Sequence, residues 1–592
     1  MLFLAAWMPE GAGGGEEVGP FCARVGRPAR LRVKLSGKVP ALAKAKGPDG
    51  GHAARHLAGG YPRTRGRSCP RGGGKNASCK KCAEKIENRR EKCYTRESDF
   101  FDGGSMARIG FDNEKYLAMQ SAHIRDRIAQ FDNKLYLEFG GKLFDDYHAA
   151  RVLPGFAADS KLQMLAQLAD EAEIVIAVSA EDIEKNKVRA DLGLTYDNEV
   201  IRLIGEFRGR GLYVGSVVLT RYAAQRSAVL FEARLKELGV AVYHHYTIPE
   251  YPANVARIVS EEGYGKNDYI ETTRQLVVVT APGPGSGKMA TCLSQLYHEL
   301  RRGVRAGYAK YETFPIWNLP LDHPVNLAYE AATADLNDVN MLDPYHWKAY
   351  GVTTVNYNRD VEIFPVLHAI FLRIYGSSPY ASPTDMGVNM AGNCIFDDAA
   401  CREASDQEII RRYFQAVAGV AEGRREPGEV QKILLLLSQE GLTPEDRPAV
   451  PPARQRAEET GAPAVAIELS DGRIITGKTT DLLGASSAAL VNAIKVLAGI
   501  PHEQKILSPA AIAPIQELKT KFLGSKNPRL HTDEVLIALS ATAADNDLSA
   551  RALHQLPALR GCQVHSSVLL SAADQRTFQK LGCDLTCDPT RV

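Results

Sequence analysis

A glycine-rich segment that ends in a lysine is the strongest chemical signal in this sequence of 592 residues. The apolar run Leu276–Thr280 leads into Ala-Pro-Gly-Pro-Gly-Ser-Gly-Lys. Glycines between a strand and a helix let backbone N–H groups point at a phosphate, and the positive end of the helix dipole adds to the attraction. The sequence therefore predicts a phosphate or other anion site formed by Gly283, Gly285, Ser286, Gly287 and Lys288.

The segment departs from the standard phosphate loop at two positions. In the pattern G-x-x-x-x-G-K-[ST] the first glycine corresponds to Pro282, so the loop is altered or one residue shorter at Gly283. Met289 stands where a hydroxyl would bind magnesium, with Thr291 and Ser294 nearby. We therefore expect an anion to bind without magnesium. An ordinary helix-capping turn and an ATP-hydrolysing loop are the alternatives that the residues leave open.

A second group of polar residues lies in the segment Phe139–His148, which holds two glycines, a lysine, two acids and a histidine. Carboxyl and imidazole groups are the side chains that most often transfer protons in enzymes. Asp145, Asp146 and His148 are therefore candidate catalytic residues. A solvated turn is the alternative interpretation of this segment.

The sequence predicts no metal site and identifies no cofactor. The segment from His298 to Arg302 lacks the second histidine of the zinc-protease pattern HExxH, because Arg302 stands in its place. Asp335, Asp338 and Asp343 are of the type that bind hard cations, but acids in such segments more often cap helices and turns. These acids are therefore expected to be structural.

Alternating strands and helices must position these residues. Buried strands are predicted at Glu173–Val178, Leu212–Thr220, Val240–His245, Leu276–Thr280 and residues 305–310. Helices are predicted between them at Asn198–Phe207, Ala224–Leu238 and Lys288–Arg302. Nearly continuous apolar strands, each followed by a helix, favour a multi-domain α/β protein with a doubly wound parallel sheet.

Changes in composition along the chain predict several parts. Residues 1–105 hold 21 Lys/Arg against 10 Asp/Glu and show no periodic apolar pattern, which predicts a disordered or wrongly assigned start. Residues 106–330 are expected to form an α/β domain with the glycine-rich loop, and residues 331–442 a region of polar loops and helices. A Pro-rich linker at 443–452 is expected to precede a C-terminal α/β subdomain at 453–592, with a hairpin at Ser470–Gly472 and a strand, helix and strand near its end.

Charge and hydropathy disfavour several classes of protein. No run approaches 18 uncharged apolar residues, so no membrane partner is predicted. Residues 106–592 hold 51 Lys/Arg and 60 Asp/Glu without a basic stripe, which disfavours nucleic-acid binding. Six scattered cysteines beyond residue 105 are typical of a reducing compartment, so a cytoplasmic location is expected. A homo-oligomer is compatible with these features.

From Met106 to its end the chain resembles a bacterial family described as domain of unknown function 1846. The resemblance depends on long and unusual segments: Ile109–Tyr116, Phe139–His148, Ala281–Lys288, Phe314–Pro320, Ser382–Gly392 and Lys526–Asp533. It implies a multi-domain α/β protein whose C-terminal subdomain has the three-layer topology of deaminases, and it implies no particular reaction. Some members carry an ATP-dependent peptidase label, but neither HExxH nor an intact Walker loop is present, and the zinc-deaminase pair HxE and PCxxC is missing as well.

The sequence as a whole favours a cytoplasmic α/β protein that binds a nucleotide or another phosphorylated small molecule at Gly283–Lys288. Polar loops from Thr313–Asn393 are expected to cover that ligand. Whether the protein is an enzyme is left open. The rival is a non-catalytic assembly or regulatory protein, in which the glycine-rich turn only caps a helix. Stabilisation by nucleotides or sugar phosphates would favour the first class.

Overall fold

The computed structural model describes residues 108–141, 143–144, 146–189 and 193–591. The expectations for residues 1–105 and for Asp145 lie outside these residues. The described strands are β1 Leu135–Phe139, β2 Ala172–Ser179, β3 Val188–Arg189, β4 Leu194–Thr195, β5 Tyr213–Thr220, β6 Ala241–His244, β7 Leu276–Thr280, β8 Gly307–Tyr311, β9 Asn340–Leu342, β10 Val355–Tyr357, β11 Gly387–Val388, β12 Ala464–Glu468, β13 Ile474–Lys478, β14 Gln563–Ser566 and β15 Asp584–Cys587.

Helices connect these strands. Before β9 they span Asn113–Ala129, Tyr147–Val152, Ser160–Gln167, Ala180–Glu184, Tyr196–Gly209, Arg226–Glu237, Val255–Ile258, Lys288–Arg301 and Pro324–Ala332. After β9 they span Pro344–Tyr350, Asn358–Tyr375, Pro383–Met386, Asp398–Ala421, Pro427–Glu440, Val450–Thr460, Ala485–Leu497, Pro509–Glu517, Thr532–Thr542, Asp547–Leu553 and Ala572–Lys580. None of the described helices is both long and apolar enough to cross a membrane.

Seven strands form one parallel sheet in the order β11-β8-β1-β7-β2-β5-β6. Every residue of β2 and β7 is buried, as expected for apolar inner strands that helices cover on both faces. The prediction of an α/β protein with a large parallel sheet is confirmed. Strand β1 is missing from the sequence-based expectation because Glu138 interrupts its apolar run, although β1 lies in the middle of the sheet.

The order of the strands opens a crevice beside β1. The chain leaves β1 towards β2, β5 and β6, returns to β7 next to β1, and then passes β1 to reach β8. The connection from β1 to β2 and the connection from β7 to β8 run in opposite directions along the sheet. Because crossovers between parallel strands are right-handed, these two connections lie on opposite faces of the sheet. Parallel α/β sheets bind ligands at such a point, outside the carboxyl ends of the strands.

The polar segment after β8 contains more regular structure than its composition suggested. The antiparallel pair β9 and β10 and the 18-residue helix Asn358–Tyr375 lie within it. That helix buries Phe364, Leu367, Ile370 and Phe371, so one apolar face holds it on the sheet although its other face is polar. The Pro-rich segment 443–452 is also packed, since Ala449 and Val450 are fully buried. Other residues of the segment, among them Thr443, Glu445 and Pro448, are exposed.

A second, four-stranded sheet follows in the order β13-β12-β14-β15. Strands β12 and β13 are antiparallel around Ser470–Gly472, which confirms the predicted hairpin. The predicted strand, helix and strand near the end are also present as β14, Ala572–Lys580 and β15, with β14 and β15 parallel. This sheet has its own apolar core, in which Ile467, Ile494 and Phe578 are fully buried.

Candidate functional site

A cleft of about 1550 Å³ opens at the carboxyl ends of the parallel strands. It is lined by residues that follow β1, β5, β6, β7 and β8, and by the helix Asn358–Tyr375. Its volume exceeds what a drug-sized ligand needs. Of the residues predicted to bind an anion, Gly283, Gly285, Gly287 and Lys288 line this cleft.

The hydroxyl groups of Ser286 and Thr220 hold the glycine-rich turn, Gly283–Lys288, in shape. Ser286 is fully buried, and its Oγ donates a hydrogen bond of 2.9 Å to the Gly283 carbonyl. The Oγ1 of Thr220, at the end of β5, donates a hydrogen bond of 2.8 Å to the Ser286 carbonyl. Ser286 therefore supports the turn from behind instead of lining the cleft, which differs from the role that the sequence suggested for it.

Two glycines of the turn are required by close packing. A Cβ at Gly283 would lie 2.1 Å from the Tyr196 hydroxyl oxygen. Gly287 has a φ of +88°, and a Cβ there would lie 3.1 Å from the Thr220 methyl carbon. Both a positive φ and a close neighbour favour glycine, because every other residue adds a side chain at Cα. The turn brings its backbone closer to Tyr196 and Thr220 than any larger residue could.

The helix Lys288–Arg301 begins at this turn without a side-chain cap. Its N-cap is Gly287, no side chain accepts a hydrogen bond from its first N–H groups, and its first turn contains no acidic residue. Lys288 is half-buried, and it makes no ion pair or side-chain hydrogen bond with any other residue in the described ranges. Uncapped N–H groups and a lysine together favour a bound anion.

Two hydroxyl groups in the cleft wall lack partners. Thr291 in the helix and Tyr264 in the facing segment are both fully buried and line the cleft. Neither Thr291 Oγ1 nor the Tyr264 hydroxyl has a hydrogen-bond partner among the described residues. A buried hydroxyl without a partner costs about 1–3 kcal/mol, so a ligand that hydrogen-bonds there would remove that cost. Met289 also lines the cleft, and it packs partly on the apolar core.

A cluster of charged residues lies at the end of β8. Lys310 Nζ is 2.8 Å from Glu312 Oε1 and 2.5 Å from Asp360 Oδ2, and all three residues line the cleft. We call Lys310, Glu312 and Asp360 the β8 cluster. Burial raises the pKa of Glu312 to about 7, helped by the negative charges of Asp360 and Glu138 and opposed by Lys310. Glu312 can therefore gain or lose a proton near neutral pH.

Sequence reasoning missed the β8 cluster because its members are far apart along the chain. Lys310 and Glu312 belong to the end of β8, whereas Asp360 lies in the first turn of Asn358–Tyr375. The available signal was a charged residue directly after a buried strand, which is where ligand-binding residues of parallel sheets are found. That signal identifies a site only when the order of the strands is known.

The predicted catalytic candidates Asp146 and His148 lie elsewhere. Asp146 caps the helix Tyr147–Val152 through the Ala149 N–H and forms an ion pair of 2.7 Å with Lys161. His148 Nδ1 is 3.2 Å from the buried carboxylate of Glu408, and burial lowers the pKa of His148. Neither residue lines the cleft described above. The structure does not bring them together with the glycine-rich turn.

The three acids of the polar segment have separate roles. Asp343 accepts hydrogen bonds from the N–H groups of Tyr345 and His346 and so caps a helix. Asp338 pairs with Arg359 at 2.9 Å, and Asp335 lines the cleft. Among the described residues, no group of three or more His, Cys, Asp or Glu side chains is placed to hold a metal ion.

The parallel seven-stranded sheet and the cleft at its carboxyl edge define the class of protein: α/β, with a small-molecule-sized opening above the sheet. A family model described as "Domain of unknown function DUF1846, N-terminal" matches residues 109–441, and its C-terminal counterpart matches residues 445–591. The chain belongs to this family. The resemblance inferred from the sequence segments is thereby confirmed.

Close relatives cover nearly the whole matched region. A UPF0371 protein of Corynebacterium diphtheriae is 58% identical over 482 residues, which is 81% of this chain and 97% of the relative. A UPF0371 protein of Streptococcus thermophilus is 56% identical over 484 residues, which is 82% of this chain and 98% of the relative. These names assign no reaction.

Proposed function

We propose that the cleft binds a nucleotide or another phosphorylated small molecule, with a phosphate on the glycine-rich turn. The observation that carries this proposal is the uncapped start of the helix Lys288–Arg301, where Lys288 lines the cleft without a partner among the described residues. Backbone N–H groups of the turn would donate hydrogen bonds to the phosphate oxygens, and Lys288 would neutralise their charge.

The position of Lys288 argues against a purely structural turn. A cation at the first residue of a helix opposes the helix dipole and costs about 0.3–1 kcal/mol. Elsewhere in this chain the helices that begin after Asp112, Ser571 and Asn546 have side-chain caps. The helix Arg226–Glu237 also begins with a basic residue and no side-chain cap, so the feature that sets Lys288 apart is its place in the wall of the cleft. A bound anion would attract both Lys288 and the positive end of the helix dipole, which gives a reason for a lysine at this position.

Binding, not hydrolysis, is the proposed activity at the turn. Met289 occupies the position of the magnesium-binding hydroxyl, and its thioether is a poor ligand for a hard cation. The buried hydroxyl of Thr291 lies one helical turn from the glycine-rich turn and is available for a hydrogen bond to the ligand. The proposal therefore assigns Thr291 to ligand contact together with Lys288.

A thermal-shift screen of the full chain tests the proposal. The compounds are inorganic phosphate, ATP, UDP-glucose and hexose phosphates, each added over a range of concentrations. A true ligand at 100 times its Kd should stabilise the protein by about 2.7 kcal/mol. Lys288→Ala should weaken that ligand by about 1–3 kcal/mol. Lys505→Ala, which removes an exposed lysine of the C-terminal region, should leave the affinity unchanged.

Two results would contradict the proposal. Unchanged affinity of Lys288→Ala for a compound that stabilises the wild-type protein would remove this lysine from the site. No stabilisation by any compound of the panel would favour the rival, a non-catalytic assembly or regulatory protein.

A further inference from the structure

The cleft has two chemically different ends, which follow strands that are in register with β1. In the register of the strands, Glu138 of β1 is level with Val279 of β7 and with Lys310 of β8. The glycine-rich turn follows β7, the β8 cluster is at the end of β8, and β1 lies between them. Neighbouring strands are about 4.8 Å apart, so β7 and β8 lie roughly 10 Å apart on the two sides of β1. Both the turn and the β8 cluster line the same cleft, so one ligand in the cleft can contact both.

The β8 cluster has the opposite charge preference from the turn. Lys310 is shared by Glu312 and Asp360, so the cluster carries one negative charge when Glu312 is ionised and none when Glu312 is protonated. Below them, Glu138 is buried and accepts a hydrogen bond of 2.8 Å from the Tyr308 hydroxyl. A second phosphate would be repelled at this end. Carboxylate oxygens instead accept hydrogen bonds from hydroxyl groups.

Glycine at the end of β1 leaves room beside Glu312. A Cβ at Gly140 would lie 3.1 Å from the Tyr311 carbonyl oxygen and 3.5 Å from Glu312 Cγ. Gly140 and Gly141 both line the cleft between its two ends. Tyr196, Tyr246 and Tyr329 line it as well. Aromatic side chains offer apolar faces for ring packing together with a polar hydroxyl.

We infer that the ligand is a phosphorylated sugar, whose phosphate binds the glycine-rich turn and whose hydroxyl groups bind Glu312 and its neighbours in the β8 cluster. This inference rests on the proposed function and adds the chemical class of the ligand. The orphaned hydroxyl groups of Thr291 and Tyr264, in the wall of the same cleft, are further partners for a molecule rich in hydroxyl groups. Glu312 contacts the sugar, and Lys288 contacts the phosphate.

Calorimetric titration of the full chain tests the inference. The probes are inorganic phosphate, ATP, glucose 1-phosphate, glucose 6-phosphate and UDP-glucose. At least one sugar probe should bind the wild-type protein about ten-fold or more tightly than inorganic phosphate, as expected for a hydrogen bond to a charged group. Glu312→Gln should remove that advantage and change the affinity for inorganic phosphate by less than about three-fold. Lys288→Ala should weaken every probe that binds.

The outcomes separate the two proposals. If no sugar probe binds more tightly than inorganic phosphate, or if Glu312→Gln leaves the advantage intact, the sugar inference is wrong while phosphate binding stands. If no probe binds at all, both proposals are wrong. Circular dichroism and melting temperature verify that Glu312→Gln is folded. If it is not, Asp360→Asn, which changes the other acid of the β8 cluster, takes its place with the same expected loss.

Discussion

The surroundings of a carboxyl group in the C-terminal region lower its pKa, whereas those of a carboxyl group in the cleft raise its pKa. Asp574 lies 3.0 Å from His531 Nδ1, and it accepts hydrogen bonds from Ser571 Oγ at 2.7 Å and from the Thr532 N–H at 2.9 Å. Burial disfavours its ionised form, but these hydrogen bonds outweigh burial and lower the pKa of Asp574 to about 2. Among the described residues the one cation paired with Glu312 is Lys310, which Asp360 shares, and the pKa of Glu312 rises to about 7.

The first turns of two helices, Thr532–Thr542 in the C-terminal region and Lys288–Arg301 at the cleft, also differ. The helix Thr532–Thr542 has Asp533 and Glu534 in its first turn, and the Glu534 side chain accepts from the N–H of His531. The helix at the cleft begins with Lys288 and has no such cap. The polar groups around Asp574 hydrogen-bond to one another, although Thr532 Oγ1 has no partner among the described residues. In the cleft, the Thr291 and Tyr264 hydroxyl groups have no such partner, which is the condition expected of groups that bind a ligand.

The largest predicted effect concerns Asp574, whose hydrogen bonds are expected to stabilise the fold. Asp574→Ala should lower the free energy of unfolding by about 2–4 kcal/mol, because it leaves His531 and the Thr532 N–H without their acceptor. Urea denaturation measures the change. The control Asp545→Ala removes an exposed acid and should cost less than about 0.5 kcal/mol. Equal stability of the two variants would show that Asp574 is not a stabilising group.

The second prediction is that the contributions of Asp574 and Glu312 to the free energy of unfolding change with pH in opposite directions. The pKa of Asp574 is lower in the folded protein than its usual 3.8, so its contribution to stability is complete above about pH 4 and is lost as the pH falls towards 2. The pKa of Glu312 is raised from 4.5 to about 7. Its contribution therefore declines as the pH rises from about 4.5 to about 7, since the unfolded chain releases the proton first.

Variants isolate these two contributions. The difference in unfolding free energy between Glu312→Gln and the wild type should shift in favour of the variant as the pH rises from about 5 to about 7.5. The corresponding difference for Asp574→Asn should shift against the variant as the pH rises from about 2 to about 5. Denaturation at each pH measures both. Glu312→Gln and wild-type curves that stay parallel through the neutral range would contradict the raised pKa.

The sequence predicts a helix or strand well when the burial of its residues follows from whether each residue is apolar or polar. Strand β7, Leu276–Thr280, is predicted with its observed bounds because four of its five residues are apolar and all five are buried. Strand β1 is central but contains Glu138, and the helix Asn113–Ala129 buries the polar residues Gln120 and Ser121, so neither shows a clear apolar period. Burial of polar side chains depends on tertiary partners, which no local pattern contains.

The candidate site is predictable only in part for the same reason. The glycine-rich turn is local, and the spacing of its glycines and Lys288 alone predicts an anion site. Glu312 and Asp360 are 48 positions apart in the chain and come together because both contact Lys310 at the end of β8. Asp146 and His148 are catalytic candidates because they belong to a dense polar segment, and the structure places them at a helix cap and beside the buried carboxylate of Glu408, outside the lining of the cleft.

A smaller effect is predicted for Lys288, at the start of the uncapped helix of the cleft. Without ligand, Lys288→Ala should leave the protein as stable as the wild type or more stable by about 0.3–1 kcal/mol, because it removes a cation from the positive end of a helix dipole. The same variant should lose ligand affinity. Thermal denaturation without and with the ligand measures both properties. A variant destabilised by more than about 1 kcal/mol without ligand would show that Lys288 has a structural role.

The smallest predicted effect concerns magnesium. Because Met289 replaces the hydroxyl that binds the cation in standard phosphate loops, excess chelator should change the affinity for the phosphate ligand by less than about two-fold. Titrations with magnesium and with chelator compare the two conditions. If chelation abolishes binding, Met289→Ser distinguishes the causes: much tighter metal binding by the variant would identify a true magnesium loop, and no change would place the metal on distant acids.

The most direct test of phosphate binding is a crystal structure of the full chain with the compound of the screen that raises its melting temperature most. The phosphate should lie on the glycine-rich turn, with oxygens about 2.7–3.2 Å from backbone N–H groups between Gly285 and Met289 and from Lys288 Nζ. A phosphate bound elsewhere, with the turn contacting no part of the ligand, would contradict the assignment of this turn as the phosphate site.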